Sequence, residues 1–397
     1  MQLNPVSPTH FYPPIDPELS FFEQSWSTFT VFGGIGFILA TALTVLLANG
    51  LGLALWVILS ITTVAVAAFF SLAFLLKLFT GQERLVLYQQ LVAVVGAIAA
   101  LLYLLQQPIL VYLDLTLLGL GLFVAVGRVG CFMVGCCHGR PSRWGVCYRE
   151  EHAAAGFTPY LVGVRLVPIQ AIESGWIALI VFIGVILLLH QHDPGDVVAW
   201  LSITYALGRF CFEFWRGDPN RLYIWGFSEA QLLSLLIMSA ITAAEYHGRL
   251  PLHPWHPGAT VSLAVVMGAI ALQQRFQRNS ALQLLHPHHI QEVAEAIAAL
   301  THSSRILASV DDTGSTSVPI CSTSLGIQIS ATPIQHRTGC LCHYAFSNSI
   351  SSLTAYGAKT LADLVQQLNH TSNSAELIEG QQGVFHLLVY PAGCDRA

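Results

Sequence analysis

Long apolar runs constrain this chain more than any other feature. A helix needs roughly 20 consecutive apolar residues to cross the hydrocarbon core of a membrane. Seven runs of about that length follow one another along the sequence, at 28–49, 53–76, 86–106, 114–134, 169–190, 197–215 and 228–244. A shorter run at 259–273 is a candidate for an eighth. We therefore expect an all-α polytopic membrane protein with seven or eight transmembrane helices.

The charge content agrees with a membrane protein. Only 10% of the 397 residues are charged, whereas a soluble domain carries about 25%. The net charge of −5 argues against a nucleic-acid-binding protein, which usually has a basic face. All basic residues except Lys77 and Lys359 are arginines. Because the planar guanidinium suits phosphate and carboxylate, this bias favours an anionic ligand.

Composition also predicts three domains. Residues 1–27 are rich in proline and are expected to form an irregular N-terminal cap, without the basic start and cleavage site of a signal peptide. Residues 28–275 form the transmembrane domain. Polar residues then replace the apolar runs, and 283–397 are expected to be a small soluble α+β domain of unknown role. Its predicted helices lie at 290–302 and 351–368, and its predicted strands near 305–310, 325–331, 340–346 and 384–390.

Ionisable residues concentrate at two places within the apolar runs, and such residues are functional candidates. The glycine-rich stretch 127–145 contains Arg128. In the stretch 205–219, four polar residues are spaced four, four and three apart: Tyr205, Arg209, Glu213 and Arg216. On a helix they share one face, so that Glu213 can hold both neighbouring arginines. Arginines at helix ends also extend to the membrane interface, but Arg128 and Arg209 facing one cavity would bind a phosphate.

Four segments together resemble a known family. The stretches 127–145, 167–173 and 205–219, with Asp114, agree in order and spacing with prolipoprotein diacylglyceryl transferases over about residues 28–245. The resemblance implies a multi-pass enzyme of the bacterial cytoplasmic membrane that needs no cofactor. Such an enzyme transfers the diacylglyceryl group of phosphatidylglycerol to the lipobox cysteine of a prolipoprotein signal peptide. A thioether forms and glycerol phosphate leaves.

The resemblance also implies roles for single residues. Arg128 and Arg209 would hold the phosphate, Glu213 and Tyr205 would orient Arg209, and Arg216 would lie near the headgroup exit. Further positions would contribute to substrate binding: Asp114, Gly130, Gly139, Gln170, Glu173, Tyr88, Cys131 and Cys136.

Some of these positions depart from the family pattern. Tyr88 begins the stretch where the family has histidine and two glycines, Cys131 replaces an asparagine, and Cys136 replaces a glutamate. Val167 replaces the histidine of a His-Pro-x-Gln motif. The anion-binding half of the expected site is therefore retained, whereas the proton-handling half is changed. His138 is a candidate for the missing base, although a single histidine at the end of a span is more often structural.

Four cysteines lie close together in the sequence: Cys131, Cys136, Cys137 and Cys147. They could form disulfides, bind a soft metal, carry a transferred group, or simply pack as small apolar side chains. Because the Cys-x2-Cys pairs of structural zinc sites are missing, we expect no metal.

The sequence allows alternatives for the orientation of the chain in the membrane and for its function. The resemblance places the N-terminus on the outer side of the membrane, against the positive-inside rule, and an eighth span would place the C-terminal domain outside as well. An alternative function is a paralogue that uses the same lipid site with a different acceptor. A second alternative is a non-catalytic lipid-binding protein that anchors the C-terminal domain.

Overall fold

The fold was analysed in a computed structural model of the chain. It describes residues 2–3, 11–21, 24–81, 87–190, 193–219, 221–276, 281–309, 319–336, 339–350, 352–369 and 374–390. A helix forms at each of the eight apolar runs. The helices of this part are α1 (Thr28–Gly50), α2 (Leu55–Thr80), α3 (Leu87–Leu104), α4 (Ile109–Val134), α5 (Glu150–Ala154), α6 (Ile169–Leu189), α7 (Asp196–Glu213), α8 (Glu229–Tyr246) and α9 (Trp255–Phe276).

Five of these helices, among the described residues, are long and apolar enough to cross a membrane: α1, α2, α4, α6 and α9. The chain is thus a membrane protein, as the apolar runs predict. The eighth run, which was the shortest, lies within α9 and is one of the five. By contrast, α7 carries three charged residues, Asp196, Arg209 and Glu213, of which the last two belong to the site described below.

The strands and the remaining helices lie mainly at the two ends of the chain. The remaining helices are α10 (Ala281–Leu284), α11 (Pro287–Ser309) and α12 (Ala355–Leu368). The strands are β1 (Gln2–Leu3), β2 (Glu18–Phe21), β3 (Gln24–Ser27), β4 (Pro141–Val146), β5 (Tyr223–Ile224), β6 (Phe227–Ser228), β7 (Ile320–Ser322), β8 (Ile327–His336), β9 (Gly339–Asn348), β10 (Ala375–Glu379) and β11 (Phe385–Val389).

The C-terminal region contains one antiparallel sheet with the strand order β1-β10-β11-β9-β8-β7. The expectation of a small α+β region is confirmed. The strand expected near 305–310 is wrong, because α11 continues to Ser309. No proline or glycine interrupts the chain before Gly314, so the helix started by the apolar stripe at 290–302 has no reason to end earlier. Within the N-terminal cap, β2 and β3 form a hairpin rather than irregular chain.

Helix α4 is the central element of the transmembrane region and packs against α1, α6 and α7. Two glycines allow the close approach of α1. A Cβ atom on Gly130 would lie 2.9 Å from Cβ of Phe32, and one on Gly119 would lie 2.5 Å from Oγ1 of Thr44. Small residues at such crossings let helix backbones approach in a membrane, where van der Waals packing drives association.

The C-terminal region docks on the loop that follows α4. One apolar core joins Phe132 at the end of α4, and Tyr148 and Phe157 of that loop, to side chains of α11, α12 and the sheet. Arg143 adds an ion pair with Asp363, at 2.6 Å between Nη2 and Oδ1. The loop after α4 and the C-terminal region therefore lie on the same side of the helical bundle.

Candidate anion-binding site

The polar residues singled out in the sequence meet on the side of the C-terminal region, where α4 and α7 end and α6 begins. Arg128 lies in the last two turns of α4, Glu173 in the second turn of α6, and Arg209 near the end of α7. Arg216 follows in the turn after α7 and is only 1% exposed. Three helices and one loop thus place four charged side chains in one buried cluster.

Glu173 is the central carboxylate of this cluster and is fully buried. Its Oε1 lies 3.1 Å from Nη2 of Arg128 and 3.8 Å from Nε of Arg209. Its Oε2 lies 3.4 Å from Nη1 of Arg216. One carboxylate thus contacts three guanidinium groups, two of them through Oε1 and the third through Oε2.

A second carboxylate, Glu213, holds the outer part of the cluster. Its Oε2 lies 2.6 Å from Nη1 of Arg209, as the spacing of four residues predicts. Its Oε1 accepts a hydrogen bond of 2.5 Å from Nη1 of Arg221, which the sequence analysis did not single out. Arg221 and Arg216 also share Asp218, with Nε–Oδ2 distances of 3.2 and 3.0 Å. Arg221 follows a turn rather than a helix, so no periodic spacing indicated it.

The cluster carries one positive charge in excess. Four arginines, Arg128, Arg209, Arg216 and Arg221, face three carboxylates, Glu173, Glu213 and Asp218, so 4 − 3 = +1. Nε of Arg128 is buried and has no hydrogen-bond partner among the described residues. Because a buried charge is costly unless it is paired, this arrangement favours the binding of an anion.

The loop after α4 closes over the cluster and is held by residues of α6 and of the loop itself. Helix α4 ends at Gly135, whose φ of 82° is left-handed. Gln170 donates a hydrogen bond from Nε2 to the Cys136 carbonyl, at 2.9 Å. Gly139 approaches Val167 so closely that a Cβ atom would lie 2.2 Å from the Val167 carbonyl oxygen. A side chain at this position would push the loop away from the start of α6.

Three thiols lie at this turn, those of Cys131, Cys136 and Cys137. Of the two in the loop, the pKa of Cys137 is lowered from its ordinary value and the pKa of Cys136 is raised. Hydrogen bonds from the Cys131 and Cys136 thiols hold the pKa of Cys137 well below its usual range, with Arg216 and Arg128 adding a positive field. Donation to Cys131 and Cys137 raises the pKa of Cys136. Burial raises the pKa of Tyr148, which donates to the Phe132 carbonyl at 3.0 Å. Of the two loop thiols, Cys137 is therefore the one that loses its proton more readily.

The other residues implied by the resemblance differ in where they lie relative to the charge cluster. Tyr205 is close enough to the cluster to interact electrostatically with Glu173 and Arg128. Gly130 packs against α1. The structure does not bring Asp114 to the site, because Asp114 lies near the other end of α4 and accepts hydrogen bonds from the backbone of Gly195 and Val198. The side chain of Tyr88 lies outside the described residues.

His138 and Val167 form part of the wall of the site. Nδ1 of His138 lies 3.0 Å from the Gly139 carbonyl oxygen, and its ring packs edge-on against Phe157. The His138 carbonyl accepts from the Gly217 amide at 2.9 Å. These contacts join the loop after α4 to the turn after α7, so His138 has a structural role.

Comparisons with known proteins agree with the motifs. The family described as prolipoprotein diacylglyceryl transferase matches residues 91–247. This segment contains the whole buried charge cluster and the loop with the three thiols. The resemblance inferred from the motifs is thereby confirmed for this part of the chain.

Individual relatives carry the same description. A phosphatidylglycerol–prolipoprotein diacylglyceryl transferase of Clostridium tetani is 32% identical over 129 residues, which are 32% of this chain and 49% of that protein. A second, from Clostridium perfringens, is 32% identical over 133 residues, 32% of this chain and 47% of that protein. One from Campylobacter lari is 31% identical over 139 residues, 33% of this chain and 46% of that protein. The chain thus spans about half the length of the relatives it matches.

Proposed function

We propose that this chain, which resembles prolipoprotein diacylglyceryl transferases over residues 91–247, transfers a diacylglyceryl group from phosphatidylglycerol to the lipobox cysteine of a prolipoprotein. The observation that carries the proposal is the buried cluster with one excess positive charge, built from the motifs that the family shares. It lies at the ends of apolar helices, where the phosphate of a membrane lipid is within reach.

In this reaction Arg128 and Arg209 bind the phosphate of the lipid. The sulfur of the acceptor attacks the glyceryl carbon, the carbon–oxygen bond to the phosphate breaks, and a thioether forms. Glycerol phosphate leaves with the electron pair of the broken bond. Positively charged donors fixed in advance by Glu173 stabilise the charge that develops on the leaving oxygen. Arg216 joins the central carboxylate Glu173 to Asp218, and Arg221 borders the cluster on its outer side.

The membrane arrangement that we propose has eight crossings. The loop after α4 and the C-terminal region share one apolar core, so an even number of crossings must separate them. The helices α6, α7, α8 and α9 supply four. We infer that residues 283–397 form a domain that packs beside the site on the outer side of a bacterial cytoplasmic membrane.

The test uses the purified full chain, phosphatidylglycerol vesicles and a peptide with a lipobox cysteine. Mass spectrometry should detect the thioether-linked diacylglyceryl peptide with wild type, and about 100-fold less with Arg128→Ala or Arg209→Ala, as removal of one transition-state donor typically gives. The exposed Arg249, which is remote from the cluster, provides the matched Arg249→Ala control.

Two outcomes would reject the proposal. Absence of product from correctly folded wild type with retained binding of phosphatidylglycerol would favour a lipid-binding anchor. Transfer to a different thiol or hydroxyl acceptor, but not to the lipobox peptide, would favour a paralogue. Retention of full activity by both arginine variants would reject the assigned roles of those residues.

A further inference from the structure

The three thiols at the end of α4 form a cluster that the proposed transfer, as described so far, does not use. The Sγ atoms of Cys131, Cys136 and Cys137 all lie within 4.8 Å of one another. Within the described ranges, no other set of three or more histidine, cysteine or acidic residues lies close enough to share an ion. These cysteines contain no Cys-x2-Cys pair, but the chain reversal after α4 brings Cys131 close to thiols five and six residues further along the chain.

Backbone geometry and neighbouring side chains hold this arrangement. Gly135 and Cys137 both have left-handed backbone, with φ of 82° and 56°. For a non-glycine residue this conformation is unfavourable and persists only when surrounding contacts fix it. Gln170 and Tyr148 provide such contacts through the Cys136 and Phe132 carbonyls. The thiols are thus positioned by α6 and the loop, in the way that outer contacts position metal ligands.

The spacing of the sulfurs suits a zinc ion. Zinc–sulfur bonds of about 2.3 Å place the sulfurs of a tetrahedral site about 3.8 Å apart. Sulfurs within 4.8 Å of one another reach this spacing through small side-chain rotations. Cys131 is buried and Cys136 is exposed, so the cluster is closed on one side and open on the other. Three protein ligands with an open fourth position are typical of catalytic rather than structural zinc.

The surrounding charges favour this site. Three thiolates and one Zn²⁺ carry a net charge of −1, and Arg128 and Arg216 both interact electrostatically with Cys137. Arg128 lies one helical turn before Cys131, so the metal would border the anion-binding cluster. The acceptor thiol and the phosphate of the lipid would then be held next to each other.

The geometry points to a zinc site formed by Cys131, Cys136 and Cys137, whose open position binds the acceptor thiol; this second part rests on the proposed function. Binding to zinc would convert the thiol to a thiolate and release its proton to solvent. The thiolate attacks the glyceryl carbon, and glycerol phosphate leaves with the bonding electrons. The thioether product is a weaker ligand than a thiolate and dissociates. The metal thereby replaces the base that Val167 and Tyr88 do not supply.

A mechanism in which one of these cysteines itself carries the diacylglyceryl group is chemically less suitable than a metal-bound acceptor thiol. If a protein thiol attacked the lipid, the product would be a stable thioether on the enzyme. A second thiol could displace that sulfur only with difficulty, because an unactivated thioether is a poor leaving group. A metal-bound acceptor thiol requires only one carbon–sulfur bond to form and none to break.

The metal is tested on the reduced full chain in detergent. We expect one zinc per chain by elemental analysis, and Co²⁺ substitution should give the thiolate-to-metal absorption of a tetrahedral site. Because loss of an outer-shell partner alone typically weakens metal affinity about 10- to 100-fold, Cys136→Ser should weaken it more than about tenfold. Cys211→Ser is the matched control, because Cys211 is an exposed thiol on α7. Absence of metal from reduced wild type, or a disulfide within the trio, overturns the zinc site without relying on any variant.

The role of the open position is tested separately from catalysis. Adding lipobox peptide to the Co²⁺ form should increase the thiolate absorption, whereas the same peptide with serine in place of cysteine should not. No increase overturns the binding of the acceptor thiol. Undiminished thioether formation after chelation of the metal overturns zinc activation but leaves the proposed transfer intact. Peptide binding at cobalt without any transfer to the peptide rejects the proposed function instead.

Discussion

Glu173 is the residue that fixes the geometry of the arginine cluster, because its two oxygens contact Arg128, Arg209 and Arg216. Replacement by glutamine removes a buried negative charge and leaves the guanidinium groups underpaired. We expect Glu173→Gln to lower the free energy of unfolding by about 3–5 kcal/mol. Denaturant unfolding in detergent measures this loss, with Glu151→Gln as the control at an exposed glutamate.

The same variant separates a structural role from anion binding. Because the cluster gains one more unpaired positive charge, phosphatidylglycerol should stabilise Glu173→Gln more than it stabilises wild type. Equal stabilisation of both proteins by the lipid would show that the headgroup does not contact these arginines.

Arg221 binds Glu213 and Asp218 at the outer side of the cluster and is partly exposed. Its removal should let Glu213 shift away from Arg209. We expect Arg221→Ala to lower kcat/KM for transfer about tenfold, in line with the loss of one charge-assisted hydrogen bond. Steady-state kinetics with varied phosphatidylglycerol tests this, again with Arg249→Ala beside it. An unchanged kcat/KM would make Arg221 a surface residue only.

The sequence indicated Arg128, Arg209 and Arg216 but neither Arg221 nor the way in which the arginines are held. A helical spacing of four correctly pairs Arg209 with Glu213. The same pattern assigned Arg216 to Glu213, whereas Arg216 lies beyond the end of α7 and contacts Glu173 and Asp218. Glu173 lies 36 residues before Arg209, and only the packing of α6 against α7 brings them together. Local periodicity describes one helix and contains no information on contacts between helices.

The crossing of α1 and α4 depends on Gly130, where a Cβ atom would lie 2.9 Å from Cβ of Phe32. We expect Gly130→Ala to destabilise the protein by about 1–3 kcal/mol, the usual range for overpacking. Gly127→Ala, one turn away on the same helix, meets no atom within 4 Å and provides the control. Alanine is the better helix former, so Gly127→Ala should be neutral or stabilising. Equal thermal stability of the two variants in detergent would exclude a tight crossing.

Asp114 stabilises the start of α7 through the amides of Gly195 and Val198. It lies 14 residues before Arg128 on α4, which corresponds to about 21 Å along a helix. Asp114→Ala should therefore cost about 1–2 kcal/mol of stability, as the loss of a helix cap does, without changing KM for phosphatidylglycerol. Asp193→Ala is the exposed control. A raised KM in the folded variant would return Asp114 to the binding site.

At the level of elements, the apolar runs predicted every long helix of the membrane region, because burial in lipid demands continuous apolar sequence. The C-terminal region was harder. The strands β7 and β10 were not predicted, since they are short and lack a clear alternation of apolar and polar residues. The sheet forms through long-range pairing, for example between β9 and β11, and single-sequence patterns do not report such pairing.

For the whole molecule, the shared core predicts that the loop after α4 and the C-terminal region lie on one side of the membrane. Epitope tags inserted at Gly156 and at the turn Gln381–Gly383 should be accessible from the same side of intact cells. A tag at Gly248, between α8 and α9, should be accessible only from the opposite side. Labelling of the first two tags from different sides would exclude eight crossings and the shared core.

The edge strand of the C-terminal sheet has a consequence for biosynthesis. Leu3 of β1 pairs with Ala375 of β10, so two neighbours in one sheet lie 372 positions apart in the sequence. During translation the early strand has no partner until almost all the helices have entered the membrane. Closing so large a loop is slow relative to local folding. Pairing of β1 with β10 is therefore expected to be a late step in the maturation of the nascent chain.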